Sequence, residues 1–318
     1  MKVTEYFAQS SDKTLISFEV LPPLKGGSMQ KIFDTLDPLM EFKPPFVDVT
    51  YHREEYIYKK HKSGFYEKSA IRKRPGTVGI CASIMHRYGV DAVPHLICGG
   101  FSKEETENVL IDLNFLDIQN VLVIRGDARK FDGKFIPEAD GHPYAINLVE
   151  QVNDMNNGTY LDDNIVDGVQ TDFCIGVAGY PEKHFEAPSS GSDLKWLKKK
   201  VEAGADYIVT QMFFDNKHYF DFVERCRQAD INVPIVPGLK PITKMYQTGS
   251  IPRLFFVDLP DDLLAAFEGA KDKAAFKQVG IEWCIAQSKE LKAAGVPCLH
   301  YYTMGDTKTI KAICEEVA

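Results

Sequence analysis

Glu19 is a carboxylate inside an apolar run. Ser17-Phe18-Glu19-Val20-Leu21 reads as the end of a buried strand, and Pro22-Pro23 stops it because proline supplies no ladder donor. Burying an unpaired charge is so costly that such a glutamate is paired, protonated or held ready for proton transfer. Other reactive groups follow apolar runs in the same way: Thr50, His95, Arg125 with Asp127, Tyr180 with His184, Gln211, and Lys240 nearby. Together they can donate and accept protons and hold polar ligands. A histidine inside a strand is ordinarily a satisfied core residue, and Ser28 or Asp193 can be read simply as helix caps. No metal-ligand spacing, G-x-G-x-x-G, Walker A or G-x-S-x-G pattern occurs. The pattern by itself points to an enzyme-like site and to no particular reaction.

The elements that must position these groups alternate regularly. Strands are expected over Thr14–Leu21, Phe46–Tyr51, Ala92–Cys98, Val121–Ile124, Phe173–Ala178, Tyr207–Phe213, Val233–Pro237 and Cys298–Thr303. Helices are expected between them, among them Ser28–Phe42, Thr77–Tyr88 and one capped by Ser102 with Glu105 completing a capping box. Further helices are expected over Tyr144–Met155, from Asp193 to Gly204, and over His218–Ala229, Lys273–Ala294 and Thr307–Val317. Gln247 falls in a short helical piece, and Asp163–Asp172 reads as a surface insertion. Eight strand–helix units predict a (β/α)8 TIM barrel forming one domain over residues 1–318. In that fold the carboxyl ends of the strands face one site, which is where the groups above fall.

Composition narrows the class. The chain has 318 residues, 44% of them hydrophobic, enough for one large core, and a net charge of −8 that argues against a nucleic-acid binder. Its 7 cysteines are scattered and never in a C-x-x-C pair, so they read as buried thiols of a reducing compartment. Met1–Asp12 is polar and mixed, without a signal-peptide core, and a soluble cytoplasmic protein is expected. In that setting Arg125-Gly126-Asp127 is not an adhesion tripeptide and the sequon at Asn157 is inert. The charged, tyrosine-rich segment from Arg53 to Arg74 reads as a solvated face.

As a set, these motifs resemble one family. Ser17-Phe18-Glu19 with Pro22-Pro23, Pro94-His95-Leu96, Arg125-Gly126-Asp127 and Tyr180-Pro181-Glu182-x-His184 occur in order. Thr210-Gln211-x-Phe213-Phe214-Asp215, Pro237-Gly238 and His300-Tyr301-Tyr302-Thr303 complete the series. The chain resembles methylenetetrahydrofolate reductase, the flavin-dependent barrel of one-carbon and methionine metabolism, in its short bacterial form. The resemblance implies FAD held on the barrel, NAD(P)H as hydride donor in a ping-pong scheme, methylenetetrahydrofolate as acceptor, and a homo-oligomer. FAD contacts carry over to Thr50, Tyr51, His95, Arg125, Gly126, Asp127, Tyr144, Ala145, Tyr180, His184, Glu186, Ala187, Asp193 and Lys200. Arg125 and Lys200 would neutralise the pyrophosphate, and Gly126 would let the backbone approach the ring.

By the same resemblance Glu19 is the general acid that opens the folate ring, because apolar surroundings disfavour its ionised form. Asp127 would stabilise the resulting iminium cation, and Gln211 and Gln247 would hydrogen-bond folate. Two positions depart from the family pattern: Asp306 stands where an arginine is usual, and Ile251 where an aromatic often stacks. They leave open an alternative, a non-catalytic FAD-binding barrel that has lost its folate site.

Overall fold

A computed structural model describes residues 1–10, 12–129 and 132–318. Ser11, and Lys130 and Phe131 within the loop expected from Ala128 to His142, lie outside them. The chain opens with helix α1 (Val3–Gln9), then β1 (Leu15–Val20), α2 (Gln30–Leu36) and β2 (Phe46–Val49). A hairpin of β3 (Glu55–Lys60) and β4 (Tyr66–Ile71) precedes α3 (Thr77–Tyr88) and β5 (Asp91–Ile97). Then come α4 (Lys103–Phe115), β6 (Asn120–Ile124), α5 (Ala145–Asn156), β7 (Cys174–Gly179), α6 (Ser190–Glu202), β8 (Tyr207–Thr210) and α7 (Asn216–Gln228). Two short strands, β9 (Ile235–Val236) and β10 (Gly238–Leu239), lead to α8 (Gln247–Phe255), α9 (Asp261–Glu268), α10 (Lys273–Ala293), β11 (Cys298–Tyr302) and α11 (Thr307–Val317).

Apart from the hairpin, every strand pairs in parallel, in the order β10-β11-β1-β2-β5-β6-β7-β8-β9. The two ends of that order are halves of one strand, β9 on β8 and β10 on β11. Pro237 separates them, since it has no N–H for the ladder. Its carbonyl still accepts from His300 N at 3.1 Å, and Gly238 N donates to Thr210 Oγ1 at 3.0 Å. Counting the halves together, the sheet is an eight-stranded barrel closed at strand seven.

Alternation along each strand builds two cores. Outward residues such as Ile16, Phe18, Val20, Val47 and Val49 pack under the helices. Inward residues split by height. Phe46, Val93, Leu122, Cys174, Tyr207, Val209, Val236 and Cys298 form an apolar floor. Above it the inward positions turn polar: Ser17, Asp48, His95 and His300 are all buried. Helix α1 closes the floor from below through Val3 and Phe7, whose i, i+4 spacing puts both on one face. Phe7 meets the Phe46 and Tyr207 rings edge-on at 6.1 and 6.3 Å.

Several expectations need correction. The helix expected over Ser28–Phe42 is α2 plus a 3-10 turn (Asp37–Phe42), because Pro38 cannot donate to the carbonyl four residues back. Ser28 does not cap α2; the residue before the helix is Met29, with no side-chain cap. Asp193 does not start α6 either. Ser189 caps that helix through Ser192 N, and Asp193 lies in its first turn. The segment Arg53–Arg74 contains the hairpin, and α1 and α9 lie outside the helices expected above. Among the described residues, no helix is long and apolar enough to cross a membrane.

Candidate active site

The polar layer centres on His95. Its Nε2 lies 3.5 Å from Glu19 Oε2 and 3.4 Å from Asp48 Oδ2. Glu19 and Asp48 are register partners on β1 and β2, so both side chains point inward at one height. Thr50 Oγ1 lies 3.1 Å from both Glu19 Oε1 and Val20 O, so its one hydroxyl proton can reach either. Burial works against the imidazolium of His95, but the Asp48 and Glu19 carboxylates outweigh it and raise the histidine above its ordinary value. Tyr302, in register with Glu19, donates to Thr210 O at 2.6 Å; burial and then the Glu19 and Asp48 charges push its phenol far up. Glu19 therefore faces a histidine and a hydroxyl, and its setting is more polar than its neighbours in sequence imply.

Asp48 was not among the residues expected at the site. Its side chain is fully buried, and neither oxygen has a hydrogen-bond partner among the described residues. The signal was available in Phe46-Val47-Asp48-Val49, a charge within a buried strand like that of Glu19.

Above this layer the mouth of the barrel opens into a cavity of about 490 Å³. Thr50, Ile124, Gly126 and Asp127 line it on the barrel side, and Arg53, Tyr56 and Tyr58 on the hairpin side. Gly126 has φ +82°, and a Cβ there would stand 3.3 Å from Ile97 Cβ, so glycine is required for this close turn. Both terminal nitrogens of Arg53 are buried without a partner among the described residues. The backbone gives way to this side chain: a Cβ on Gly99 would come within 2.9 Å of Arg53 Nη1.

Beside the mouth, β6, β7 and the start of α6 gather most of the remaining expected residues. Arg125 Nη1 donates to Glu186 Oε2 at 2.6 Å, and its guanidinium holds that carboxyl below the ordinary range. Asp193 Oδ2 accepts from His184 N at 3.0 Å, and the His184 ring meets Tyr180 edge-on at 4.8 Å. Ala187 N donates back to His184 O at 2.9 Å. Lys200 donates to Ala178 O at 2.8 Å; burial, opposed by the Asp193 charge, lowers it to about 8. Tyr144, just before Ala145 opens α5, stacks on Trp196 at 6.1 Å with its ring largely exposed. Tyr51 accepts from Arg72 Nη2 at 2.7 Å and packs on Phe101. Among the described residues, no group of three His, Cys, Asp or Glu is arranged to hold a metal.

The model of the family described as methylenetetrahydrofolate reductase matches residues 4–318. The chain belongs to the methylenetetrahydrofolate reductase family. It is 31% identical over 315 residues to 5,10-methylenetetrahydrofolate reductase of Salmonella typhimurium, covering 98% of this chain and 93% of that one. To methylenetetrahydrofolate reductase (NADH) 1 of Arabidopsis thaliana it is 32% identical over 321 residues, covering 97% of this chain but 49% of the plant protein. The chain thus spans about half the length of its plant relatives in this family and most of its bacterial ones. Among solved structures, an uncharacterised Clostridium thermocellum protein that binds two copies of 5-methyl-5,6,7,8-tetrahydrofolic acid shares the fold, with a TM-score of 0.58 and 12% identity. That likeness covers 99% of both chains.

Four residues marked out by the family resemblance have local roles in the fold. Gln247 Oε1 accepts from Thr243 N and Lys244 N at 2.8 and 2.9 Å, tying its own loop. Ile251 is buried among Met212, Phe214, Leu263 and Phe276, so it offers no stacking surface. Asp306 caps α11 through Thr309 N and lies 3.9 Å from Lys277, which offsets its charge. Gln211 follows β8 directly, with its Oε1 accepting from Met212 N at 2.9 Å.

Proposed function

We propose that this chain reduces 5,10-methylenetetrahydrofolate to 5-methyltetrahydrofolate, with NAD(P)H as donor and FAD as bound carrier. The observation that carries the reading is Glu19 at the carboxyl end of β1, in contact with a histidine that can hold a proton. Family membership supports it.

The residues present fit a flavin dinucleotide. Lys200 is a buried ammonium whose hydrogen-bond acceptor among the described residues is one neutral carbonyl, with the Asp193 charge acting on it from nearby. Arg125 lies on the next strand end, Arg53 presents two nitrogens without acceptors among the described residues, and Gly126 leaves the mouth open to a flat ring. Lys200 and Arg125 would hold the phosphates, and Tyr180, His184 and Asp193 would fix the loop against them. Bound there, the flavin would supply a two-electron carrier between the nicotinamide and the folate.

The chain's own part is proton management and orientation. Glu19 protonates the nitrogen that leaves when the folate's five-membered ring opens to the 5-iminium cation. Thr50 orients the Glu19 carboxyl through Oε1, leaving Oε2 toward His95. Asp127, exposed at the mouth, places a negative charge where the cation would form. Gln211 offers its amide nitrogen to the folate while its oxygen is held by Met212 N.

The test is anaerobic. NADH or NADPH added to the purified protein should bleach the visible flavin band, and methylenetetrahydrofolate should restore it with methyltetrahydrofolate formed. Protein that is colourless and takes up no added FAD would overturn the reading, as would a reduced flavin that folate cannot reoxidise.

A further inference from the structure

Two carboxylates face one imidazole nitrogen in the buried polar layer. Asp48 Oδ2 and Glu19 Oε2 stand 3.4 and 3.5 Å from the same His95 Nε2. Neutral or charged, the ring offers that nitrogen at most one proton, so it serves one carboxylate at a time; two ionised carboxylates facing an uncharged ring would be strongly unfavourable. Asp48 lies at 0% exposure, where an ionised carboxylate needs a cation, and His95 is the group within reach. The other titratable groups near this cluster are Cys81 from α3, His52 after β2, Tyr207 from β8, and Cys298, His300 and Tyr302 from β11. Burial raises both thiols and both phenols, so none of these four carries charge at neutral pH. His52 is shifted down by burial and by Arg74, which leaves it neutral as well.

The geometry points to a buried proton relay, Asp48–His95–Glu19, in which Asp48 is a positioning residue that keeps His95 charged as the proton reserve of the acid. The inference rests on the reading of Glu19 as proton donor to folate. Glu19 gives its proton to the departing folate nitrogen and becomes a carboxylate. The His95 Nε2–H bond then breaks, an O–H bond forms on Glu19 Oε2, and His95 is left neutral with its remaining proton on Nδ1. Solvent returns the proton to the ring before the next turnover. No electrons move in these steps.

The relay makes two separable demands. In holoenzyme uniformly labelled with nitrogen-15, one histidine, assigned by its loss in His95→Gln, should stay charged above the ordinary histidine range. A neutral His95 at neutral pH would overturn the relay whether or not the folate reaction has been found. In Asp48→Asn, bleaching of the flavin by the nicotinamide donor should keep its rate. Reoxidation by methylenetetrahydrofolate should slow, and its alkaline limb should move down by roughly one pH unit or more, because the imidazolium has lost a counter-charge. A reoxidation profile that superimposes on wild type, or equal slowing of both half-reactions, would also overturn it. Should Asp48→Asn fail to fold, the histidine titration decides alone. Wild-type protein that never reoxidises with folate would instead sink the parent reading.

Discussion

Glu19 and Asp48 occupy matched positions on neighbouring parallel strands, and their carboxylates converge on one nitrogen of His95. The pairing divides labour between them. Glu19 keeps some exposure and meets Thr50; Asp48, at the same height, is fully buried. Glu19→Gln keeps the shape and removes the transferable proton. Flavin content and reduction by the nicotinamide donor should persist, while folate turnover falls by roughly 10²- to 10⁴-fold. Stopped-flow traces of the two half-reactions check this, and normal folate turnover would remove Glu19 from the role.

The floor of the barrel gives a stability prediction. Phe7 of α1 is buried against Phe46 and Tyr207, so Phe7→Ala leaves a hole lined by those rings. A loss of about 3 kcal/mol or more is expected in urea unfolding, with little change in flavin binding. A change under 1 kcal/mol, by the same order-of-magnitude scale, would mean that α1 is not the plug.

Two helical glycines should behave oppositely. A Cβ on Gly280 in α10 would fall 1.7 Å from Ile242 O, so Gly280→Ala must push the helix off the loop after strand seven. We expect about 4 kcal/mol of destabilisation or insoluble protein. Gly249 in α8 has nothing within 4 Å of an added Cβ, and Gly249→Ala should be neutral or slightly stabilising. Thermal melts of the pair test the contrast.

Glu182 offers a pH prediction. Burial raises its carboxyl from the ordinary 4.5 to about 7, against the hydrogen bond from Asp258 N. Because the folded value is the higher one, the stability the neutral carboxyl contributes is present below the ordinary value and is lost as pH rises through about 7. Glu182→Gln mimics the neutral form. Its melting temperature should therefore gain on wild type as pH rises across that window, modestly, since the group is partly solvated. A difference that does not vary with pH would contradict the assignment.

Much of this was readable before any coordinates. The alternation of apolar runs with amphipathic stretches fixed the barrel, and polar residues ending those runs marked its working face. Ser102 with Glu105 announced α4, and both side chains make the expected reciprocal bonds. What escaped was non-local. Ser28 and Asp193 are good caps by type, yet chain direction put Met29 and Ser189 at the two helix starts. Gln247 and Ile251 matched a family pattern, but their surroundings gave one to its own loop and the other to a core. Asp48 was visible as a buried charge; only the register between β1 and β2 tells that it shares a partner with Glu19.

The closed floor has one more implication, for traffic. With α1 and the aromatic layer below, and paired strands all round, the polar layer among the described residues lies under the mouth lined by Thr50, Gly126 and Asp127. A mouth of that kind is served in turns, so a donor and an acceptor that both need it would have to alternate.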